Sequence, residues 1–326
     1  METSPSSRGL DERDVDEILA YVRIAELHGA PLSLADALRL TSVQLSEEGL
    51  AEAWERTSSL SSLYPLLSGQ IVPKANLAQN GTDAFSTNLE ESRRRVEANV
   101  RVAKQVERLF AWEKLRMFSV SGTNSYDFAR GHDDIDLFCI TRNDTLWLFM
   151  LKALLVVRFY EFFRKDLPRL CFSYVVDEAN ARKEFRSPKD RLFARDALNL
   201  KVISGQDFYL SLMADARWMQ DWFPRIYRMA ARPSSDYFPV DESSSVGRII
   251  NRILYRVVGP YLRLKSILDN AKNGRRGKAQ FVNRVRIGEG YILHESKKYQ
   301  ELRGLYQFEM TKGRASYDGA HSSFGP

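Results

Sequence analysis

Two neighbouring stretches decide how this chain is read: Arg116-Met117-Phe118-Ser119-Val120-Ser121-Gly122-Thr123-Asn124-Ser125-Tyr126 and, after a polar loop, Asp134-Ile135-Asp136-Leu137-Phe138-Cys139-Ile140. The first reads as a short strand that ends at Gly122 and turns into a small-residue segment. The second reads as a strand in which Ile135, Leu137 and Cys139 point to the core. By alternation, Asp134 and Asp136 then project together from the opposite face. Two carboxylates so placed repel one another unless a positive charge lies between them. A divalent cation is the usual answer, and an oxygen-only donor set favours Mg²⁺ or Mn²⁺. The bland alternative is a solvent-facing edge strand that carries two acids.

Working outward, the N-terminal third shows a helical period at Val15, Ile18, Leu19, Val22 and Ile24 or Ala25, ended by Gly29 and Pro31. Ser33 with Asp36 three residues on forms a capping-box start, and Ser46 opens another helix that runs to about Arg56. Leu63 to Val72, with Ser68-Gly69 at its centre, reads as a small hairpin. Three short helices followed by a hairpin is the order of a winged helix. Arg56 is the sole basic residue between Leu40 and Leu63, which argues against DNA binding by this module.

The organisation expected is a disordered start at 1–12, a winged-helix-like module at 13–75 and a linker at 76–87. A catalytic core at 88–210 then opens on a long amphipathic helix, and a helical region at 211–312 and a flexible tail at 313–326 follow. Arg93, Arg94 and Arg95 on the long helix read as a solvated face that can also steer an anion. Leu146 to Phe163 is apolar but interrupted by Lys152, Arg158 and Glu161, so it reads as a buried helix. The fold class is α/β (α+β mixed), a small mixed sheet with helical flanks.

The whole chain of 326 residues is 44% apolar and 28% charged, the composition of an ordinary folded protein. Cys139 and Cys171 lie inside apolar runs, which excludes a disulfide scaffold and a cysteine metal site. The start, 1–8, is polar, and the expected location is the cytoplasm, with no membrane partner. The sequence holds no Gly-x-Ser-x-Gly, no paired-histidine motif and no Gly-Lys-Ser/Thr loop. The net charge is +6, and Lys272, Arg275, Arg276, Lys278, Arg284 and Arg286 fall in an acid-free stretch. That stretch reads as a mobile basic loop, either simply solvated or a site for phosphates of a nucleotide or RNA. His132 reads as an exposed loop histidine, and Asp196 with Arg195 as a helix salt bridge or part of a site.

A Gly followed by a small hydroxyl residue at a strand end, then about ten residues, then Asp-hydrophobic-Asp-hydrophobic, resembles the signature of the DNA polymerase beta-type nucleotidyltransferase superfamily. The chain also looks similar to archaeal and bacterial nucleotidyltransferase-domain proteins with an N-terminal winged-helix-like segment. The matching pieces are Thr141 to Trp147, Leu170-Cys171, Leu192 to Ala197 and Arg217 to Pro224. The resemblance implies a metal-dependent transfer of a nucleoside monophosphate from an NTP to an acceptor, releasing pyrophosphate. The acceptor can be a small molecule, RNA or a protein side chain. Gly122 would let the backbone approach the triphosphate, Thr123 and Ser125 would offer donors to it, and Asp134 and Asp136 would hold Mg²⁺ or Mn²⁺. The superfamily's third acid would be Asp177 or Glu178, both at the end of the Cys171 strand. The alternative function is a catalytically silent nucleotide- or nucleic-acid-binding regulator on the same fold.

Overall fold

The computed structural model describes residues 9–28, 31–74, 82–110, 115–131, 133–163, 168–231, 244–275, 283–297 and 299–307. Asp11 starts the first helix, α1 (Glu12–His28), by accepting from the Asp14 N–H at 2.9 Å, so order begins inside the stretch expected to be loose. The two capped helices follow as expected, α2 (Leu34–Leu40) and α3 (Glu47–Arg56). Ser33 Oγ accepts from Asp36 N at 2.9 Å, and Ser46 Oγ accepts from Gly49 N at 3.0 Å. Two elements were not anticipated, a strand β1 (Leu32–Ser33) and a helix α4 (Ser58–Leu63). The hairpin β2 (Leu66–Leu67) and β3 (Gln70–Ile71) turns on Ser68 and Gly69, both at positive φ, and β1 pairs antiparallel with β3.

The long helix α5 runs Thr82–Arg108, so the second half of the expected linker is its first turns. After it come β4 (Met117–Ser121), a 3₁₀ turn (Gly122–Tyr126), β5 (Ile135–Thr141), α6 (Leu146–Phe163) and β6 (Leu170–Asp177). Next are α7 (Glu178–Arg186), α8 (Arg191–Leu198), β7 (Lys201–Ser204), α9 (Gln206–Asp215), α10 (Met219–Trp222) and α11 (Pro224–Ala230). The long α12 (Ser245–Arg275) precedes the hairpin β8 (Asn283–Gly288) and β9 (Tyr291–Ser296). The six-stranded sheet has the order β7-β4-β5-β6-β9-β8, with β5 and β6 parallel and every other pair antiparallel.

Two expectations change here. The C-terminal region is not purely helical, because β9 joins the sheet beside β6 and β8 closes that edge. Arg284 and Arg286 therefore belong to a strand and not to a mobile loop, and Arg286 pairs with Glu295 at 2.9 Å. Residues 276–282, with Arg276 and Lys278, lie outside the described residues, as do 1–8 and 308–326.

Both faces of the sheet are covered. On one side Leu137 and Cys139 of β5 pack with α5 (Ala103, Val106), α6 (Trp147, Phe149) and α12 (Val258, Leu262). On the other, Phe138 and Ile140 of β5 join a core shared by α7–α11 and the N-terminal helices, through Tyr21, Trp54, Phe185 and Phe223. The N-terminal helices thus share one continuous core with the sheet. Among the described residues no helix is long and apolar enough to cross a membrane. The run Leu146 to Phe163 is buried at its start, where Trp147 is fully enclosed, while Leu155 further along is exposed.

Candidate active site

Asp136 shares its strand face with Phe138 and Ile140, so the face holding the acids is a core face and not an open one. The two carboxylates lie at the start of β5, beyond those buried side chains, with Asp136 half-buried and Asp134 exposed. Ser121, the last residue of β4, is the cross-strand partner of Asp136. The turn after it places Gly122 directly over the acid. Gly122 adopts φ +64°, and a Cβ built there would sit 2.4 Å from Asp136 Oδ2. Only glycine satisfies both conditions, so Gly122 serves first to leave room for the carboxylate itself.

Side-chain bonds hold the turn. Asn124 is buried, donates to the Asp134 carbonyl at 3.2 Å and accepts from Asn99 of α5 at 2.8 Å. Ser125 Oγ donates to the Gly122 carbonyl at 2.7 Å, and Thr123 Oγ1 donates to Asp133 at 3.2 Å. Both hydroxyls expected to face phosphate therefore have partners, Ser125 inside the turn and Thr123 in the loop before β5. The polar loop between turn and acids is pinned to α5, where Ser92 Oγ accepts from Ala129 N at 2.7 Å. His132 of that loop lies outside the described residues.

The electrostatics of the acids is unfavourable without a counter-charge. Burial and the nearby Asp134 carboxylate, with smaller contributions from Asp133 and Asp196, push the Asp136 carboxyl up to about 7, although the Cys171 thiol donates to it. Cys171 is the register partner of Asp136 on β6, and burial, with the Asp136 and Asp134 carboxylates adding to it, raises its own thiol well above the usual range. Asp196 of α8 is likewise pushed up, to about 6, chiefly by burial, and it accepts a short hydrogen bond from Tyr126 of the turn. Its neighbour Arg195 stacks on Tyr126 and donates to Tyr306 at 2.6 Å, so the side-by-side salt bridge expected of Arg195 and Asp196 gives way to a tyrosine network. Sequence reading weighed Asp196 but gave no role to Asn99, Asn124 or Tyr126. A polar residue on the buried face of α5 is the one signal that pointed to Asn99.

Asp177 and Glu178 are not brought to this site. β5 and β6 are parallel, with Asp136 opposite Cys171 and Thr141 opposite Asp177, which puts Asp177 five residues along, about 16 Å away. Asp177 caps α7, accepting from Asn180 N at 2.9 Å, and burial pushes its carboxyl upward. Glu178 is wholly buried and pairs with Arg116 at 2.6 Å and Arg182 at 3.4 Å. Both acids have structural partners at the far end of the sheet, so the third-acid assignment fails on topology.

Beside the turn, a cleft of about 740 Å³ lies between the N-terminal helices and α5. Tyr126 to Phe128 form its inner wall, and Arg39, Arg93, Arg101, Lys104 and Lys201 line it against Asp36, Glu97 and Asp127. Among the described residues no group of three or more His, Cys, Asp or Glu side chains is arranged to hold a metal ion. Asp134 and Asp136 would offer two carboxylates and leave any remaining positions to a substrate or water. The chain matches no protein-family model, no curated protein and no solved structure.

Proposed function

We propose that the chain is a metal-dependent nucleotidyltransferase built on a winged-helix-like module and a nucleotidyltransferase core. The observation that carries this reading is the packing of Gly122 against Asp136, with Asp134 just before β5 and close enough to act on the Asp136 carboxyl. An ordinary edge strand does not reserve a positive-φ glycine to hold a half-buried carboxylate beside a second one.

The donor set fits a divalent ion, because two crowded carboxylates, one pushed up to about 7, are relieved by a positive charge between them. When bound, Mg²⁺ or Mn²⁺ would neutralise charge on the phosphates of the NTP. The rest falls to the chain itself. Asp134 and Asp136 would hold the ion, Gly122 leaves room for the Asp136 carboxylate, and Asn124 fixes the turn to the acid strand. Asp196, tied to the turn through Tyr126 and within electrostatic reach of Asp136, is a candidate to receive a proton from an acceptor hydroxyl. The basic cleft beside Tyr126 suits an anionic acceptor.

One observation favours the silent regulator: Cys171 stands where β6 faces Asp136, so the following strand supplies no acid at that register. The test is incubation with each labelled NTP, Mg²⁺ and cell extract, followed by identification of the labelled product. Transfer that disappears in Asp136→Asn supports the enzyme. NTP binding with no labelled product in any extract favours the regulator.

A further inference from the structure

Of all the large apolar side chains exposed in the structure, nine belong to one helix. Along α12, Val246, Ile249, Ile250, Ile253, Val257, Tyr261, Leu264, Ile267 and Leu268 are each between 43% and 67% exposed. At 3.6 residues per turn they fall within an arc of about 120°. The opposite side of the helix is the one that packs. Asn251 accepts from Trp147 N at 2.9 Å, while Val258 and Leu262 are buried in the core against α6 and the sheet. The helix therefore has two apolar sides, one used by the fold and one turned outward, a larger outward patch than solubility tolerates without purpose.

Charge decides what the outward side meets. From Ser245 to Leu268 there is no acid, and α12 carries Arg248, Arg252, Arg256, Arg263, Lys265, Lys272 and Arg275 against Asp269 alone. Arg252, Arg256 and Arg263 run along one edge of the stripe, with Lys265 and Lys272 along the other. Arg252 reaches Glu289 at 3.3 Å and Lys265 reaches Asp269 at 2.8 Å, both pairs exposed and therefore weak and exchangeable. Two copies joined by this stripe would set cation rows against cation rows. A protein partner would have to bring acidic side chains to both basic edges as well as an apolar face between them. A fluid anionic surface conforms to a ridge and offers phosphates to both basic edges.

We propose that α12 seats the protein on an anionic membrane surface, its outward stripe at the level of the acyl chains and its flanking Arg and Lys at the lipid phosphates. The charges along α12 exclude a spanning helix, so the contact lies in the plane of the interface. This revises the expectation of no membrane partner, and it stands independently of the transfer reaction.

The test is flotation of the full chain with vesicles of phosphatidylcholine alone or with one third phosphatidylglycerol, at low and high salt. The expected result is binding to the anionic vesicles only, weakened by salt. Ile253→Asp and, separately, Arg256→Glu should each lower binding by about tenfold or more, with melting temperatures unchanged because both side chains face outward. Three results overturn the proposal: no binding to either vesicle, equal binding to both, or binding unaffected by Ile253→Asp, which would indicate charge attraction without insertion. A concentration-dependent dimer that Ile253→Asp dissociates, seen by light scattering together with absent vesicle binding, would assign the stripe to a second copy instead.

Discussion

Asp134 and Asp136 at one end of the sheet and Asp177 and Glu178 at the other are two acid pairs with opposite fates. Glu178 is deep inside, yet two guanidiniums meet it, and Asp177 receives the N–H groups that a helix start leaves open. Their charges are matched by the fold. Among the described residues, the charges that act most on Asp136 are the carboxylates of Asp134, Asp133 and Asp196. Both places hold paired carboxylates, so acidity alone marks neither function nor structure. What separates them is that donors of the fold meet Asp177 and Glu178, whereas burial and other carboxylates push Asp136 upward.

This contrast can be broken by substitution. The largest effect is expected from Asp136→Asn, which should abolish label transfer, a loss of at least about a thousandfold, while the thermal midpoint stays level or rises as repulsion with Asp134 is relieved. A fully active Asp136→Asn protein would remove the acid pair from any active site. Gly122→Val drives a side chain into Asp136 Oδ2 and forces an unfavourable φ. Transfer should fall by about a hundredfold, and isothermal titration with Mn²⁺ should show weakened metal binding. At the other end, Glu178→Ala leaves Arg116 and Arg182 without their shared buried partner, at a cost of about 3 kcal/mol in urea unfolding. The folded fraction should keep its transfer rate; loss of chemistry with stability unchanged would reverse the contrast.

Smaller effects sharpen it. Asp177→Ala removes a helix cap and should cost about 1 kcal/mol, with transfer unaffected. His294 of β9 gives a pH signature unrelated to either pair. Burial, aided by Lys265, lowers it from 6.5 to about 4. A depressed histidine contributes stability that is fully present above 6.5 and lost as pH falls through about 4. The raised carboxyls of Asp136 and Asp196 act in the opposite sense over the same range, so the test is the difference between proteins. The melting temperature of the wild type should fall relative to that of His294→Gln as pH drops from 6.5 to about 4. A difference that does not change with pH would place His294 in a more open setting.

Much of the local structure was legible in the chain. Capping by Ser33 and Ser46, the Ser68-Gly69 hairpin and the strand-turn at Gly122 all follow from short-range rules of backbone geometry and hydrogen bonding. Such rules act within a few residues, so a single sequence carries them in full. The tertiary structure alone decided what faces what. That β5 and β6 run parallel, that Cys171 and not Asp177 stands opposite Asp136, that β9 joins the sheet from 115 residues further on, and that Asp196 reaches the turn through Tyr126 are matters of register and long-range packing. An acid at a strand end looks the same in sequence at either end of a sheet, because strand direction and pairing are set by the burial of distant apolar faces. The outward stripe of α12 follows the same logic. Its apolar positions stand in the sequence, but only the packed fold shows which of its two apolar sides is buried and which is exposed.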